Sequence, residues 1–319
     1  MTEDADGVEQ FAAAMELLAG RPALDQVQQA VKLLESASAK GNAQASERCS
    51  LIESMGVVRP QSWDRALDFL QRAAEQGSGS ALSQLLLLAD PDSDPDPGVS
   101  RDWAELRSSI RIEQRIQAPQ PVPVSESPRL RSYAGFATPA ECRWLVAIGR
   151  GGLEQARVFD HASGAQTVNP ARDNRFIGLR LDTMDVVTEV VRTRISMATR
   201  LPVPLFEPSQ VLHYAVGQRF KPHHDFLDPA NPAYRDELAA RGQRIATFLI
   251  YLNDEYEGGQ TRFPTLDIDY RGSTGDALFI ANVDREGRPE PRTLHAGLPP
   301  STGEKWLFSQ WIRDRVPAA

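Results

Sequence analysis

Two histidines and one aspartate have the residue types and the spacing to hold a metal ion. His223 and Asp225 are two residues apart, so on an extended strand both side chains leave from the same face. The adjacent His224 points to the opposite face of such a strand. His295, from a distant part of the chain, supplies a second imidazole. Two imidazoles and one carboxylate on one side of a metal leave the opposite positions open, which suits a non-haem Fe(II) ion.

Composition narrows the class of protein and of partner. The 319 residues suggest two domains, and 41% hydrophobic with 24% charged residues is ordinary for a soluble globular protein. A net charge of −8 argues against nucleic-acid binding, and we find no run of 18 apolar residues to cross a membrane.

The acidic start lacks the features of a signal peptide. The two cysteines, Cys49 and Cys142, look like small core residues, so we predict a cytoplasmic protein.

The first hundred residues contain a weak internal repeat of helical character. The segment from Ala30 to Ala45 recurs 36 residues later, with identical residues at Ala30/Ala66, Leu34/Leu70, Ala37/Ala73, Gly41/Gly77 and Ala45/Ala81. This period predicts stacked helix–turn–helix units in which each glycine follows a helix end. The pattern resembles Sel-like repeats, which are relatives of tetratricopeptide repeats. Two roles remain open: a scaffold that holds a protein or peptide partner, or a helical cap on the rest of the chain.

A proline-rich boundary separates these helices from a region of different character. The run Asp90–Gly98 breaks the helices, a short helix is predicted around Trp103–Ile116, and Ala118–Pro123 reads as a stiff polyproline linker. We therefore predict a helical-repeat domain with its linker over 1–118 and a catalytic domain over 119–319.

The second region changes from helices to short strands. A capping box at Thr138 with proline at the first helical position starts one helix, and another is predicted near Met184–Ala198. Strand-like runs separated by turn signals follow at 210–214, 245–252, 277–280 and 306–311. The predicted class is α+β, with helices packed outside a double-stranded β-helix, or jelly roll, and an all-α repeat domain before it.

Five ordered blocks in this second region resemble the prolyl 4-hydroxylase branch of the Fe(II)- and 2-oxoglutarate-dependent dioxygenases. The first block, Tyr214–Asp225, matches the family pattern Tyr-x-x-Gly-Gln-x-aromatic-x-x-His-x-Asp. The other blocks are 246–253, 258–264, 275–279 and the pair 295–297 with 303–306. The resemblance implies iron ligands at His223, Asp225 and His295, and no catalytic residue beyond that metal site.

The resemblance also implies the cofactors and the reaction. Fe(II) is the metal, 2-oxoglutarate and O2 are co-substrates, and a role for ascorbate is allowed. Oxidative decarboxylation of 2-oxoglutarate to succinate and CO2 is coupled to hydroxylation of an unactivated C–H bond. The protein mainly holds the geometry and excludes side reactions.

Further residues are implied for the co-substrate and the substrate. Lys305 lies where this branch places the lysine that pairs with the distal carboxylate of 2-oxoglutarate, and a buried carboxylate needs such a partner. Tyr214 and Thr247 are expected hydroxyl donors to the same co-substrate. Arg172 and Asn174 fall in a loop that faces substrate in the family, although the residues flanking Arg172 depart from the usual small hydroxylic pair.

Three functions follow from these patterns. The leading one is hydroxylation of a proline in a protein or peptide, with the repeats helping to hold that partner. The second is hydroxylation of a small molecule, such as a free amino acid or a natural-product intermediate. The third is a non-catalytic adaptor whose repeats do the binding. Trp306 and Trp311 are expected in the core rather than against substrate.

Overall fold

The structure is a computed structural model that describes residues 6–19, 22–90, 102–155, 158–160, 165–167 and 172–316. The chain forms two compact units. One contains Met1–Gln117 and Leu179–Met197, and the other contains Ala118–Gly178 and Ala198–Ala318. Residues 91–98 of the predicted proline-rich break lie outside the described residues. Among the described helices, none is both long and apolar enough to cross a membrane.

The first unit is helical. Its helices are α1 (Val8–Leu18), α2 (Leu24–Ala39), α3 (Ala43–Met55), α4 (Trp63–Glu75), α5 (Gly79–Ala89), α6 (Trp103–Ser109) and α7 (Ile112–Arg115). The predicted single helix around Trp103–Ile116 is therefore two short helices. Gly41 and Gly77 take φ of +97° and +95° just past α2 and α4, as predicted for glycines at helix ends. The assignment to Sel-like repeats stays a prediction.

A helix from the middle of the sequence packs within this helical unit. After α8 (Pro139–Arg150), the chain returns to the first unit as α9 (Val186–Thr199). Arg48 on α3 donates to the carbonyl oxygens of Leu181 and Met184, at 3.1 and 2.8 Å. On α5, the buried Gln84 accepts a hydrogen bond from the Val186 amide at 3.1 Å, which satisfies one free donor at the start of α9. Leu181 also packs on the apolar core of α1–α3.

The second unit is built on one large and one small antiparallel sheet, with two further strand pairs. Its elements, in chain order, are β1 (Val122–Ser125), β2 (Leu130–Tyr133), α8, β3 (Glu154–Gln155), β4 (Val158–Asp160), β5 (Ala165–Thr167), β6 (Arg175–Leu179), β7 (Ser209–Tyr214), β8 (Phe220–His223), α10 (Arg235–Arg241), β9 (Arg244–Tyr251), β10 (Tyr256–Gly258), β11 (Thr261–Phe263), β12 (Ile268–Tyr270), β13 (Ala277–Ala281), β14 (His295–Gly297), β15 (Pro300–Gly303) and β16 (Lys305–Arg313). The large sheet has the order β1-β2-β13-β9-β16-β7-β6-β3, and the small sheet has the order β12-β11-β14-β8. The two further pairs are β4 with β5 and β10 with β15.

The apolar core contains residues from both sheets, as expected for a double-stranded β-helix. Leu212, Leu249 and Leu307 lie on central strands of the large sheet, and Phe263 lies on the small sheet; all belong to one buried cluster. The predicted helix with its Thr138 capping box is confirmed as α8. The predicted linker is partly wrong, because Val122 and Pro123 pair with β2 as an edge strand, a position that tolerates proline.

Candidate metal centre

The small sheet brings the three predicted metal ligands together. His295 on β14 is the direct register partner of His223 on β8. β8 ends at His223, so Asp225 follows the strand rather than continuing it, contrary to the simple two-residue alternation. The ligand atoms of the three residues lie within 4.8 Å of one another. Asp225 Oδ1 is 3.7 Å from His223 Nε2, and Asp225 Oδ2 is 3.5 Å from His295 Nε2.

Both imidazoles have Nε2 within 4 Å of the Asp225 carboxylate. His223 Nδ1 lies 2.8 Å from the Lys221 carbonyl oxygen, and His295 Nδ1 lies 2.9 Å from that of Thr293. A carbonyl only accepts, so each Nδ1 donates, which in a neutral ring leaves the lone pair on Nε2. Burial, together with the neighbouring His295, lowers the pKa of His223 to about 3. Neutral imidazoles are the form that binds a metal.

Asp225 is the anionic ligand, and its charge is stabilised. The side chain is 4% exposed. Burial alone would raise its pKa, but His295, His223 and a hydrogen bond from Thr247 hold the pKa below the usual value. Two imidazoles with one ionised carboxylate on one side of a metal form the donor set that suits Fe(II).

His224 is not part of this cluster. It is exposed, and its Nε2 donates to the Pro291 carbonyl oxygen at 2.9 Å. Its ring stacks on Phe226, with 4.5 Å between the ring centres. Its exclusion from the ligand set, expected from the sequence, is consistent with these contacts.

Lys305 is a buried cation without an anionic partner among the described residues. Its side chain is fully buried on β16, and its Nζ donates to the Gly259 carbonyl oxygen at 2.6 Å. Burial lowers its pKa to about 7. The ammonium lies 5.5 Å from the centre of the Tyr214 ring. A buried ammonium that contacts only a carbonyl and aromatic rings favours an anion supplied from outside the chain.

A narrow cavity of about 40 Å³ joins the metal ligands to Lys305. Tyr214, Thr247 and Thr261 are among the residues that line it. Burial raises the pKa of Tyr214 to about 12, so its hydroxyl stays protonated and can donate. No hydrogen bond among the described residues occupies that hydroxyl. The cavity is therefore lined by three metal ligands, a cation and a hydroxyl donor.

Thr247 makes a different bond from the one predicted. Its hydroxyl donates to Asp225 Oδ2 at 2.6 Å and accepts from the Asn282 amide nitrogen at 2.9 Å. A hydroxyl carries one proton, so in this arrangement Thr247 has none left for a co-substrate. Thr261, which sequence reasoning did not assign, also lines the cavity, and its hydroxyl lies 2.7 Å from that of Tyr251.

Of the two expected substrate residues, Arg172 reaches the cavity and Asn174 does not line it. Arg172 is 6% exposed, and its guanidinium lies 4.8 Å from the centre of the Phe220 ring. Phe220 in turn stacks on His223, with 3.5 Å between ring centres. Asn174 accepts a hydrogen bond from Arg172 Nε at 3.0 Å, so its role is to orient that guanidinium.

Sequence reasoning missed Trp311 on the cavity wall and its contact with Arg244. Trp311, expected in the core, lines the cavity, and the Arg244 guanidinium lies 3.8 Å from the centre of a Trp311 ring. Glu207 accepts from Arg244 at 2.6 and 3.2 Å and holds the guanidinium in place. Trp306 is buried, as predicted. The alternation of β16, with Lys305, Leu307, Ser309 and Trp311 all lining the cavity, was the signal that Trp311 faces inward.

Comparisons with known proteins agree with this geometry. The model of the 2OG-Fe(II) oxygenase superfamily matches residues 209–313. Prolyl 4-hydroxylase 1 of Arabidopsis thaliana is 32% identical over 233 residues, covering 68% of this chain and 79% of the relative. Prolyl 4-hydroxylase 5 of the same plant is 34% identical over 251 residues, covering 72% and 78%.

A solved structure is also similar. The viral collagen prolyl hydroxylase of Paramecium bursaria Chlorella virus-1, determined as a 2OG complex, is 29% identical, with 57% of this chain and 94% of that chain covered and a TM-score of 0.43. The identity and coverage of the plant relatives, together with the His223, Asp225 and His295 cluster, place the chain in the prolyl 4-hydroxylase family of 2OG-Fe(II) oxygenases.

Proposed function

We propose that this protein hydroxylates a prolyl residue within a protein or peptide, using Fe(II), 2-oxoglutarate and O2. The observation that carries the proposal is the cavity that joins the His223, Asp225 and His295 cluster to the buried Lys305. Bound Fe(II) with 2-oxoglutarate and O2 supplies the oxidative decarboxylation and the C–H hydroxylation. The plant relatives are named prolyl 4-hydroxylases, which supports proline as the target.

The residues of the chain divide this work between them. The imidazoles of His223 and His295 and the carboxylate of Asp225 would hold the metal. Lys305 and the Tyr214 hydroxyl would bind the distal carboxylate of 2-oxoglutarate, since an ionic hydrogen bond in a buried site is strong and directional. Apolar side chains, among them Leu249 and Leu307, line the cavity and exclude water from the reacting centre.

The two alternative functions are distinguished by different observations. A non-catalytic adaptor has no need for a buried lysine without an anionic partner, because such a group destabilises the fold unless a ligand uses it. Hydroxylation of a free amino acid remains the competing enzymatic function, and the experiment below separates it from peptide hydroxylation.

For the helical unit we infer a role in holding α9, which belongs to the same unit. Arg48 and Gln84 project from two different helices of the first hundred residues, and both bind the backbone at the start of α9. These bonds lie within the helical unit, so both the scaffold and the cap stay predictions from the sequence.

The test uses the full chain, loaded anaerobically with Fe(II) and then given 2-oxoglutarate and O2. Synthetic peptides with a central proline, the same peptides with alanine in its place, and free L-proline are compared by succinate release and by a 16-Da mass gain. We expect coupled turnover only with proline-containing peptides. Hydroxylation of free proline in preference to every peptide would support the small-molecule alternative, and no succinate under any condition would overturn the oxygenase proposal.

The chain offers a matched histidine control for this assay. His223→Ala removes a metal ligand and should abolish turnover, whereas His224→Ala removes the adjacent exposed imidazole, which binds the Pro291 carbonyl oxygen and stacks on Phe226, and should retain it. Equal loss of activity in the two variants would contradict the assigned ligand set.

A further inference from the structure

The carboxylate of Asp225 accepts a hydrogen bond from Thr247 of the large sheet, and the side chain of Asn282, the residue after β13, binds that threonine in turn. Thr247 lies on β9, in the middle of that sheet, and its hydroxyl donates to Asp225 Oδ2 at 2.6 Å. Asp225 follows β8 of the small sheet, so this bond connects the two sheets. The Asn282 amide nitrogen donates to the same hydroxyl at 2.9 Å. Thr247 is 1% exposed and Asn282 is fully buried.

The amide of Asn282 decides where the Thr247 proton goes. A threonine hydroxyl has one proton to donate and lone pairs to accept with. Because Asn282 offers an N–H to the oxygen, the hydroxyl is free to donate to the carboxylate. An acceptor at position 282 would compete with Asp225 for that single proton. The order Asn282 to Thr247 to Asp225 is therefore a directed chain of hydrogen bonds that ends on the metal ligand.

The backbone of Asn282 is fixed by two hydrogen bonds of its own. The residue at which this series of side-chain hydrogen bonds begins is therefore held in place. The Asn282 amide donates to the Ile245 carbonyl oxygen at 2.9 Å, and the Asn282 carbonyl oxygen accepts from the Glu290 amide at 3.0 Å. Ile280, two residues earlier, is the register partner of Thr247. The side-chain amide oxygen of Asn282 is buried and has no hydrogen-bond partner among the described residues.

We propose that Thr247 and Asn282 are positioning residues that set the orientation of the Asp225 carboxylate and leave Oδ1 as the oxygen offered to the metal. Oδ2 is occupied by the Thr247 hydroxyl, whereas none of the hydrogen bonds among the described residues uses Oδ1. Hydrogen bonds to the ligands of a metal orient them, and their loss costs about 10- to 100-fold in metal affinity. Thr247 thus supports the metal, while Tyr214 and Lys305 serve the co-substrate.

The test measures Mn(II) binding to the metal-free full chain by the electron paramagnetic resonance signal of the free ion, without any turnover. Thr247→Val keeps the shape but removes the hydroxyl, and it should weaken Mn(II) binding about 10- to 100-fold. Thr247→Ser should restore most of the affinity. Asn282→Asp places an acceptor beside the hydroxyl and should weaken binding in the same direction.

A control and a double variant make the test decisive. Thr188→Val removes another buried threonine hydroxyl that donates to an aspartate, Asp185 at 2.7 Å, far from the metal ligands in sequence and in the helical unit. It should leave Mn(II) affinity unchanged. Because Asn282 acts through Thr247, Asn282→Leu should weaken binding in the wild-type background and add nothing to Thr247→Val. Independent, additive losses or an unaffected Thr247→Val would overturn the proposal.

The readout also separates this inference from the proposed function on which it rests. Mn(II) binding reports the metal site whether or not a prolyl substrate is ever hydroxylated. If Thr247→Val does not fold, the folded Thr247→Ser and Asn282→Leu variants still give the comparison, with thermal unfolding in EDTA as the check on the fold.

Discussion

Lys305 lies directly opposite Tyr214 in the antiparallel pairing of β16 with β7, and its ammonium is 5.5 Å from the centre of the Tyr214 ring. The pairing places a cation and a tyrosine side chain next to each other on the cavity wall. The metal ligands line the same cavity, so a keto acid bound to the metal would have a cation and a hydroxyl donor available for its distal carboxylate.

Removal of the Lys305 charge should weaken the binding of 2-oxoglutarate. Hydrogen bonds to charged groups contribute about 1.5–3 kcal/mol, so Lys305→Met should raise the apparent KM for 2-oxoglutarate about 10- to 100-fold. The control is Lys221→Met, which removes an exposed lysine beside His223. Steady-state kinetics with varied 2-oxoglutarate measures both variants, and an unchanged KM in Lys305→Met would remove this residue from the co-substrate site.

The depressed pKa of Lys305 makes co-substrate binding depend on pH. In the free protein the pKa is about 7, so above pH 7 the amine is mostly neutral. A bound carboxylate favours the ammonium and raises this pKa again, so binding at pH 8 should take up a proton. Calorimetry of 2-oxoglutarate binding to the Mn(II)-loaded protein, in buffers of different ionisation enthalpy, measures that uptake. Lys305→Met should abolish it, and no uptake in the wild type would contradict the prediction.

The same shift has a defined effect on the free protein. The folded-state pKa of Lys305 lies below its unfolded value, so between about pH 7 and pH 10.5 the unfolded chain binds more protons. The Lys305 contribution to the free energy of unfolding therefore increases as pH rises through this window and is lost as pH falls to 7. At pH 7, Lys305→Met should unfold at a higher temperature than the wild type when 2-oxoglutarate is absent.

Much of the metal site could be predicted from sequence, because the types of its residues and their spacing indicate metal binding. His223, Asp225 and His295 belong to short blocks, and their side chains meet wherever the small sheet forms in register. Strand positions followed from alternation, as in β7 and β9. Lys305 was assigned through the family resemblance and is found buried as that role requires.

The other features of the site depend on contacts between elements that are distant in sequence. Residue spacing along the chain does not indicate these contacts. Thr247 was expected to face the co-substrate, but its partner Asp225 comes from the other sheet. Trp311 was expected in the core because a tryptophan on a buried strand usually packs there, yet it lines the cavity under Arg244. Nothing in the sequence of α9 indicates that it packs with helices from the first hundred residues.

Loss of the Trp311 ring should affect the substrate rather than the co-substrate. The ring lines the cavity six residues along β16 from Lys305, about 20 Å away on an extended strand, and the Arg244 guanidinium lies 3.8 Å from its centre. Because the ring is that far from the group assigned to the distal carboxylate of 2-oxoglutarate, Trp311→Leu should raise the KM for a proline-containing peptide and leave that for 2-oxoglutarate unchanged. Trp63→Leu, at a half-buried tryptophan of the helical unit, is the matched control. Equal changes in both KM values would show that Trp311 shapes the whole cavity.

Removal of a contact between the helical unit and the start of α9 should lower the free energy of unfolding rather than weaken substrate binding. Arg48→Ala removes two hydrogen bonds to the Leu181 and Met184 carbonyl oxygens, with an expected cost of about 1–3 kcal/mol in the free energy of unfolding. Arg107→Ala breaks an ion pair with the exposed Asp68 at 2.8 Å and should cost less than about 1 kcal/mol. Denaturant unfolding of both variants measures the difference. If Arg48→Ala leaves the stability unchanged but raises the KM for a protein substrate, and not that for a short peptide, the result would favour the scaffold interpretation of the repeats.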